Sequence, residues 1–468
     1  MLPFRSSFTT LKDYLLSSVD NHSKFTSVSL LLIIITFLTN FLITLKKPSH
    51  KIYLVDFACY KAKCLQKVPN ELVLERMKLY GNFTEEAMNF FKKTLERSGL
   101  GPATYLPEGL LMEPPNTSRA EARREGEAVM FGVVDELLQK TGVRAAEIGI
   151  VVVNCSAFIP VPSLSAMIVN KYKLREDIMS YNLSGMGCSA GLAAIGLAKQ
   201  LLQVHKDSYA LIASIENTTE NVYRGNHRPM LVINCVFRVG GAAILLSGRT
   251  SDRRSSKYEL IHTVHTNTAS SDRSYSCIFQ GEDSEGLKGI TVTKDLLTAA
   301  SKTIEANLAI LAPRILPTFD LLRFATNYAI RKLQMKKIKP YIPNFRGAVD
   351  HFYSHVGGKP VLDELQRNLS LSEIDMEPSR MTLYRFGNTS SSSIWYELAY
   401  GEAKGRIKAG DRLWQIAFGS GFKCSSAIWR AIRAIDREDQ NPWSDEIDDF
   451  PVHLNNLGPF PNFFEPSN

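Results

Sequence analysis

The sequence predicts an α/β fold of two related halves, set behind a single membrane-spanning helix. Three observations carry that prediction: strand-like and helix-like stretches alternate from residue 148 onward, two Gly-led turns run into helices in corresponding places, and one apolar run near the N-terminus holds no charge. At 468 residues the chain is long enough for two core-sized units, because single cores rarely grow past about 250–300 residues. With 44% hydrophobic and 22% charged residues it is an ordinary globular sequence, not a disordered one. The net charge of +8 suits an acidic ligand, an anionic surface or nucleic acid, and selects none of them.

Taken in order, residues 1–27 form a tail that lies in the cytosol, at the interface or in the lumen; its FTTLKDYLLSSV stretch is weakly amphipathic. VSLLLIIITFLTNFLITL (28–45) is about the length needed to span a bilayer. It exceeds a signal-peptide core and no A-x-A site follows it, so it predicts an anchor. Lys46, Lys47 and Lys51 come directly after, which by the positive-inside bias places the large C-terminal part in the cytosol. Residues 46–80 read as a linker.

The first α/β half is expected over 81–285, with a polar helix near 85–97 and a longer one over 119–140. IGIVVVNC (148–155) is a continuous β-branched run, as a strand buried on both faces should be. YALIASIE (209–216), GAAILLSG (241–248) and YELIHTVHT (258–266) read as further strands. A second half is expected over 286–447, with a tail over 448–468. It is interrupted by 315–345, whose apolar stripes and basic run fit a surface helix or a flap against a membrane or a lipid tunnel. GMGCSAGLAAIGLAKQ and RFGNTSSSSIWYELAYGEAKG correspond: each has a Gly, a polar residue (Cys188 or Asn388), small residues and then a helix. A pseudo-twofold axis between the halves would bring the two helix starts, and with them Cys188 and Asn388, to one pocket.

Chemistry centres on NLSGMGCSAG (182–191). A thiol reacts as thiolate, and a helix N-terminus stabilises that anion. Glycines beside Cys188 let a substrate approach the backbone. The spacing is neither that of the hydrolase nucleophile elbow nor of the dinucleotide fingerprint. Seven scattered cysteines with no CxxC argue against a disulfide framework or a zinc site and for a reducing compartment. A cysteine nucleophile commonly works with histidine. Of nine histidines, His355 in DHFYSHVGGKPVLDEL stands where a strand ends at a Gly-Gly turn, with His351 a secondary candidate. Asn388 donates from its amide without titrating and could hold an enolate oxygen beside His355. The turn FGSGFKCSS (418–426) supplies a backbone N–H, assigned to Ser420, that with the N–H of Cys188 would form an oxyanion hole.

NLSGMGCSAG, HFYSHVGG, RFGNTSSSSIWYELAYGEAKGR and AFGSGFKCSSAIW together resemble the plant 3-ketoacyl-CoA synthases, the condensing enzymes of very-long-chain fatty-acid elongation. The resemblance runs from YLVDFACY (53–60) to NPWSDEI (441–447). It implies a thiolase-like fold, two pseudo-twofold-related halves in a five-layered αβαβα arrangement. Cys188 is then the acyl carrier, and His355 and Asn388 assist malonyl-CoA decarboxylation and hold the enolate. No metal, redox cofactor or nucleic acid is implied. A homodimer in the endoplasmic reticulum membrane is, working with a ketoacyl reductase, a dehydratase and an enoyl reductase toward products such as cuticular wax. The family usually has histidine where this chain has Tyr384 and Asn267, which keeps open a catalytically silent acyl-binding or scaffold protein. A soluble chalcone-synthase-like polyketide synthase shares the Cys-His-Asn set and is the other alternative.

Overall fold

The computed structural model describes residues 50–333 and 343–454. The expected tail 1–27, the anchor 28–45, part of the 315–345 insertion and most of the C-terminal tail lie outside them. Among the described residues no helix is long and apolar enough to cross a membrane.

The strands are β1 (Ile52–Cys59), β2 (Lys67–Pro69), β3 (Ala103–Tyr105), β4 (Ile148–Asn154), β5 (Met179–Leu183), β6 (Tyr209–Ile215), β7 (Gly241–Ser247), β8 (Tyr258–Asn267), β9 (Ile278–Glu282), β10 (Lys288–Val292), β11 (His351–Ser354), β12 (Arg412–Gly419) and β13 (Lys423–Ala431). The longer helices are α1 (Asn70–Tyr80), α2 (Glu85–Glu96), α3 (Arg119–Thr141), α4 (Leu164–Tyr172), α5 (Ala190–Val204), α6 (Arg228–Val236), α7 (Leu296–Ile315), α8 (Thr318–Leu333), α9 (Lys359–Leu369), α10 (Glu373–Phe386) and α11 (Ser393–Ala403). Their ends follow the local chemistry. The Ser118 hydroxyl accepts from Glu121 N at the start of α3, which Gly142 closes at φ 66°.

Nine strands hydrogen-bond in the order β11-β12-β13-β8-β1-β7-β6-β4-β5. Read outward from the centre, β1-β7-β6-β4 and β8-β13-β12-β11 repeat the same senses: antiparallel, antiparallel, parallel. The repeats meet where β1 and β8 pair antiparallel over Ile52–Leu54 and Tyr258–Leu260. Helices α5 and α11 touch strands of both repeats, while α3 covers the outside of the first and α7 the outside of the second. Burial follows this layering. All residues of β4, β6 and β7 are buried, as strands covered on both faces must be.

Three expectations change. Of the expected linker 46–80, the described part from residue 50 on holds α1 and, at the middle of the sheet, β1. Its run IYLVDFAC carries Asp56, which reads as a surface charge until its buried partner is known. The boundary between the halves falls before β8, not at 285, because β8 opens the second repeat as β1 opens the first. The repeat register also shifts. The short turn Gly187–Ser189 precedes α5 and Ser390–Ser392 precedes α11. Ser391, not Asn388, is therefore the counterpart of Cys188. The two helix starts do meet: a Cβ at Gly191 would lie 2.6 Å from the Ser391 carbonyl. In the 315–345 insertion, α8 runs to Leu333 and exposes Phe319 and Leu322.

One ionic cluster binds the layers. Lys257 is 1% exposed, with Nζ 2.9 Å from Asp56, 3.0 Å from Glu402 and 2.7 Å from Glu438. Lys140 joins it, 2.9 Å from Glu438. Lys257→Ala would leave three carboxylates short of their main cation, and is expected to cost about 3–5 kcal/mol, read as a lowered urea midpoint.

Candidate functional site

Cys188 occupies the turn Gly187–Ser189, and α5 starts two residues later. Gly185 and Gly187 have φ of 65° and 66°, a region costly for other residues. A second constraint acts at the same place. A Cβ at Gly187 would lie 2.4 Å from Ser420 N, and one at Gly419 would lie 2.8 Å from Cys188 N. The cysteine turn and the β12–β13 turn therefore pack backbone against backbone, which puts the amides of Cys188 and Ser420 on facing strands of chain.

His355 directly follows β11, its N–H donating to Ile416 O at 2.9 Å. Its Nδ1 is 2.7 Å from Ser393 Oγ at the start of α11, so Nε2 is the nitrogen left toward the Gly357 side. Asn388 is fixed by its N–H on Val236 O at 2.9 Å and by its own carbonyl, which accepts from Arg238 N at 3.0 Å. Its side-chain Oδ1 accepts from Ser390 N at 2.8 Å, and its Nδ2 lies 3.5 Å from Gly357 O. The amide is thereby oriented with its NH₂ toward the turn that carries His355.

Cys188, His355, Asn388 and Ser420 all line one cavity of about 580 Å³. Burial pushes the Cys188 thiol up to about 12, opposed by a hydrogen bond from Ser390 and reinforced by the negative charge of Glu216. Burial also pushes the His355 imidazole down to about 3. The resting pair is thus a neutral thiol and a neutral imidazole. Desolvation is thus the first cause acting on the thiol, and it opposes the thiolate expected from sequence.

The secondary candidates lie elsewhere. His351 Nε2 is 2.9 Å from Asp411 at the start of β11. Tyr384 stacks edge-on against Phe450 and packs on the core, and its carbonyl accepts from Gly101 N. Asn267 ends β8, with Oδ1 accepting from Ala269 N. None of the three lines the cavity. Among the described residues no cluster of His, Cys, Asp and Glu could hold a metal ion.

Two further lining residues escape sequence reasoning. Glu216, directly after β6, accepts from Ser156 N (3.2 Å), Ala157 N (3.1 Å) and Ser390 Oγ (3.2 Å). Ser390, at φ 58°, also places Oγ 3.5 Å from Cys188 Sγ. A carboxylate closing an otherwise apolar buried strand is the available signal for the first; the second is hidden in a run of serines. Glu216→Gln removes a charge that raises the thiol, so the Cys188 peptide is expected to be alkylated faster at a fixed pH near 8, with protection by substrate retained.

The remaining wall of the cavity is largely apolar. One part comprises Val73, Met77, Leu106, Leu110, Val232 and Val236; another, toward the β9–β10 hairpin, includes Lys294 and Lys423.

Comparison with known proteins follows the same lines. Residues 43–333 match the family profile described as FAE1/type III polyketide synthase-like protein, and residues 346–431 match the C-terminal part of 3-oxoacyl-[acyl-carrier-protein] synthase III. The chain is 56% identical to 3-ketoacyl-CoA synthase 2 of Arabidopsis thaliana, over 93% of this chain and 84% of that protein. It is 53% identical to 3-ketoacyl-CoA synthase 11 of the same plant (94% and 86%) and 52% identical to probable 3-ketoacyl-CoA synthase 20 of Oryza sativa subsp. japonica (87% and 79%). Among solved structures, a mutant of CsyB superposes with a TM-score of 0.62 at 19% identity, over 81% of this chain and 100% of that one. That likeness supports the thiolase-like fold.

Proposed function

Since the chain belongs to the 3-ketoacyl-CoA synthases, acyltransferases of fatty-acid elongation that condense an acyl-CoA with malonyl-CoA, we propose the following roles for its own residues. Cys188 Sγ attacks the acyl-CoA carbonyl, the carbon–sulfur bond to CoA breaks, and CoA leaves as its thiol with the proton the cysteine gives up. A neutral His355 imidazole is the form able to carry that proton. The amides of Cys188 and Ser420 hold the oxyanion. Malonyl-CoA then loses CO₂. The Nε2–H tautomer of His355, its Nδ1 accepting from Ser393 Oγ, and the Asn388 NH₂ donate to the enolate oxygen; the enolate carbon attacks the acyl carbon, the carbon–sulfur bond to Cys188 breaks, and the thiolate takes up one proton from solvent. The observation that carries this reading is the convergence of these four residues, from four segments, on one cavity whose other walls are mostly apolar. Its test is mass analysis of the protein after brief exposure to acyl-CoA alone: the Cys188 peptide should gain one acyl mass. An acyl group on another residue, or none, would overturn it.

The setting belongs to the same proposal. Residues 28–45 anchor the chain in the endoplasmic reticulum membrane with the α/β part in the cytosol, and the exposed Phe319 and Leu322 of α8 suit contact with a lipid surface. Among the Asn-x-Ser/Thr sites, Asn154, Asn217 and Asn388 are buried while Asn182 is not; a glycan at Asn182 would contradict the cytosolic placement, which protease protection of sealed vesicles tests directly. In this chain β5 is an edge strand, and the nearby Ile159 and Val161 are exposed, which supports a homodimer closed along that edge. Chemical crosslinking through a Tyr181→Cys variant tests it. A 3-keto thioester needs reduction, dehydration and a second reduction, which favours association with the enzymes of those steps.

A further inference from the structure

We propose that the α1 face formed by Val73, Met77 and Tyr80 is the gauge that sets acyl-chain length, an inference that rests on the acyl-transfer reading above. The cavity continues past Asn388 along a traceable path. Val236 O holds Asn388 N, and Val236 and Phe237 line the cavity beside it. One turn back along α6, Val232 and Ile233 continue the wall. There Asn234 Nδ2 lies 3.7 Å from Met77 Sδ, which brings in α1. Val73, Met77 and Tyr80, at i, i+4 and i+7, share one helix face, and all three line the cavity. Phe91, Leu106 and Leu110 complete this wall without a charged side chain. Such a surface binds saturated alkyl chain and offers nothing to phosphate or carboxylate.

Helix α1 is fixed at both ends to one segment. Asn70 N donates to Pro102 O at 3.0 Å and Asn70 Nδ2 to Gly101 O at 3.1 Å. At the other end Tyr80 OH donates to Leu110 O at 3.0 Å. A helix tied at both ends transmits a change of side-chain bulk into the cavity instead of swinging outward. It also belongs to neither repeat of the sheet, so bulk can change there without moving Cys188, His355 or Asn388.

The experiment measures kcat/KM of the full chain in membranes across an even-numbered saturated acyl-CoA series, for wild type, Tyr80→Ala, Tyr80→Phe and Met77→Trp. Tyr80→Ala should raise the rate on the acyl-CoA two carbons beyond the wild-type limit by about tenfold relative to shorter ones, since one or two methylenes in an apolar pocket are worth that much. Met77→Trp should lower the limit while keeping activity on short chains, and Tyr80→Phe should leave it in place. A limit unmoved in both Tyr80→Ala and Met77→Trp, or a uniform loss at every length, overturns the gauge. Wild-type membranes with no condensation at any length would instead overturn the catalytic reading.

Discussion

Replacing Cys188 with alanine is expected to abolish 3-ketoacyl-CoA formation, with kcat/KM down by at least about 10⁴-fold, the scale of losing the covalent nucleophile. The fold should persist. The sulfur's one hydrogen bond from a neighbouring side chain is the 3.5 Å contact from Ser390, and alanine fits the short turn ahead of α5. No other thiol can substitute. Cys59, Cys155, Cys235, Cys277 and Cys424 are buried, Cys64 is exposed, and none of these lines the cavity. Incorporation of labelled malonyl-CoA into product by membranes carrying the variant, with an unchanged unfolding midpoint, is the check. Product at more than a few per cent of wild type would mean that condensation does not pass through this sulfur.

Asn388→Asp tests the second half-reaction. The replacement keeps an oxygen to accept from Ser390 N, so the turn before α11 should hold. It exchanges the NH₂, the group aimed toward the His355 turn, for an acceptor that repels a developing enolate. Condensation should fall about 10²- to 10³-fold, the usual cost of one oxyanion-type donor. Acylation of Cys188 by acyl-CoA alone should continue. Separate measurement of acyl-enzyme and of product therefore discriminates: equal losses in both would place Asn388 in the first step instead.

Much of this site is legible in the amino-acid sequence. Cys188, His355 and Asn388 each sit at an element end marked by glycine, and glycine placement is a local signal that sequence records directly. The buried strands β4, β6 and β7 are equally plain, because a strand covered on both faces needs an unbroken apolar run. What stays hidden depends on partners distant in sequence. β1 carries Asp56, whose charge makes sense only with Lys257 about two hundred residues later. β5 is an edge strand, so no residue of MSYNL is buried and no apolar run marks it. Glu216 and Ser390 gain their roles from each other, across a gap that periodicity cannot bridge. The apparent match of Cys188 with Asn388 fails by three residues for a related reason: a Gly-polar-small motif fits more than one register, and only the start of α11 settles which.

That register gives the duplicated turns unequal fates. At the Cys188 end the side chain lines the cavity. At the matching end the hydroxyl of Ser391 is taken up by Asn154 Nδ2 at 2.6 Å, while Asn154 Oδ1 accepts from Ser214 at 2.7 Å. The duplicated turn therefore ends in two chemistries: at one helix start a thiol that lines the cavity, at the other a hydroxyl spent on tying the start of α11 to β4 and β6.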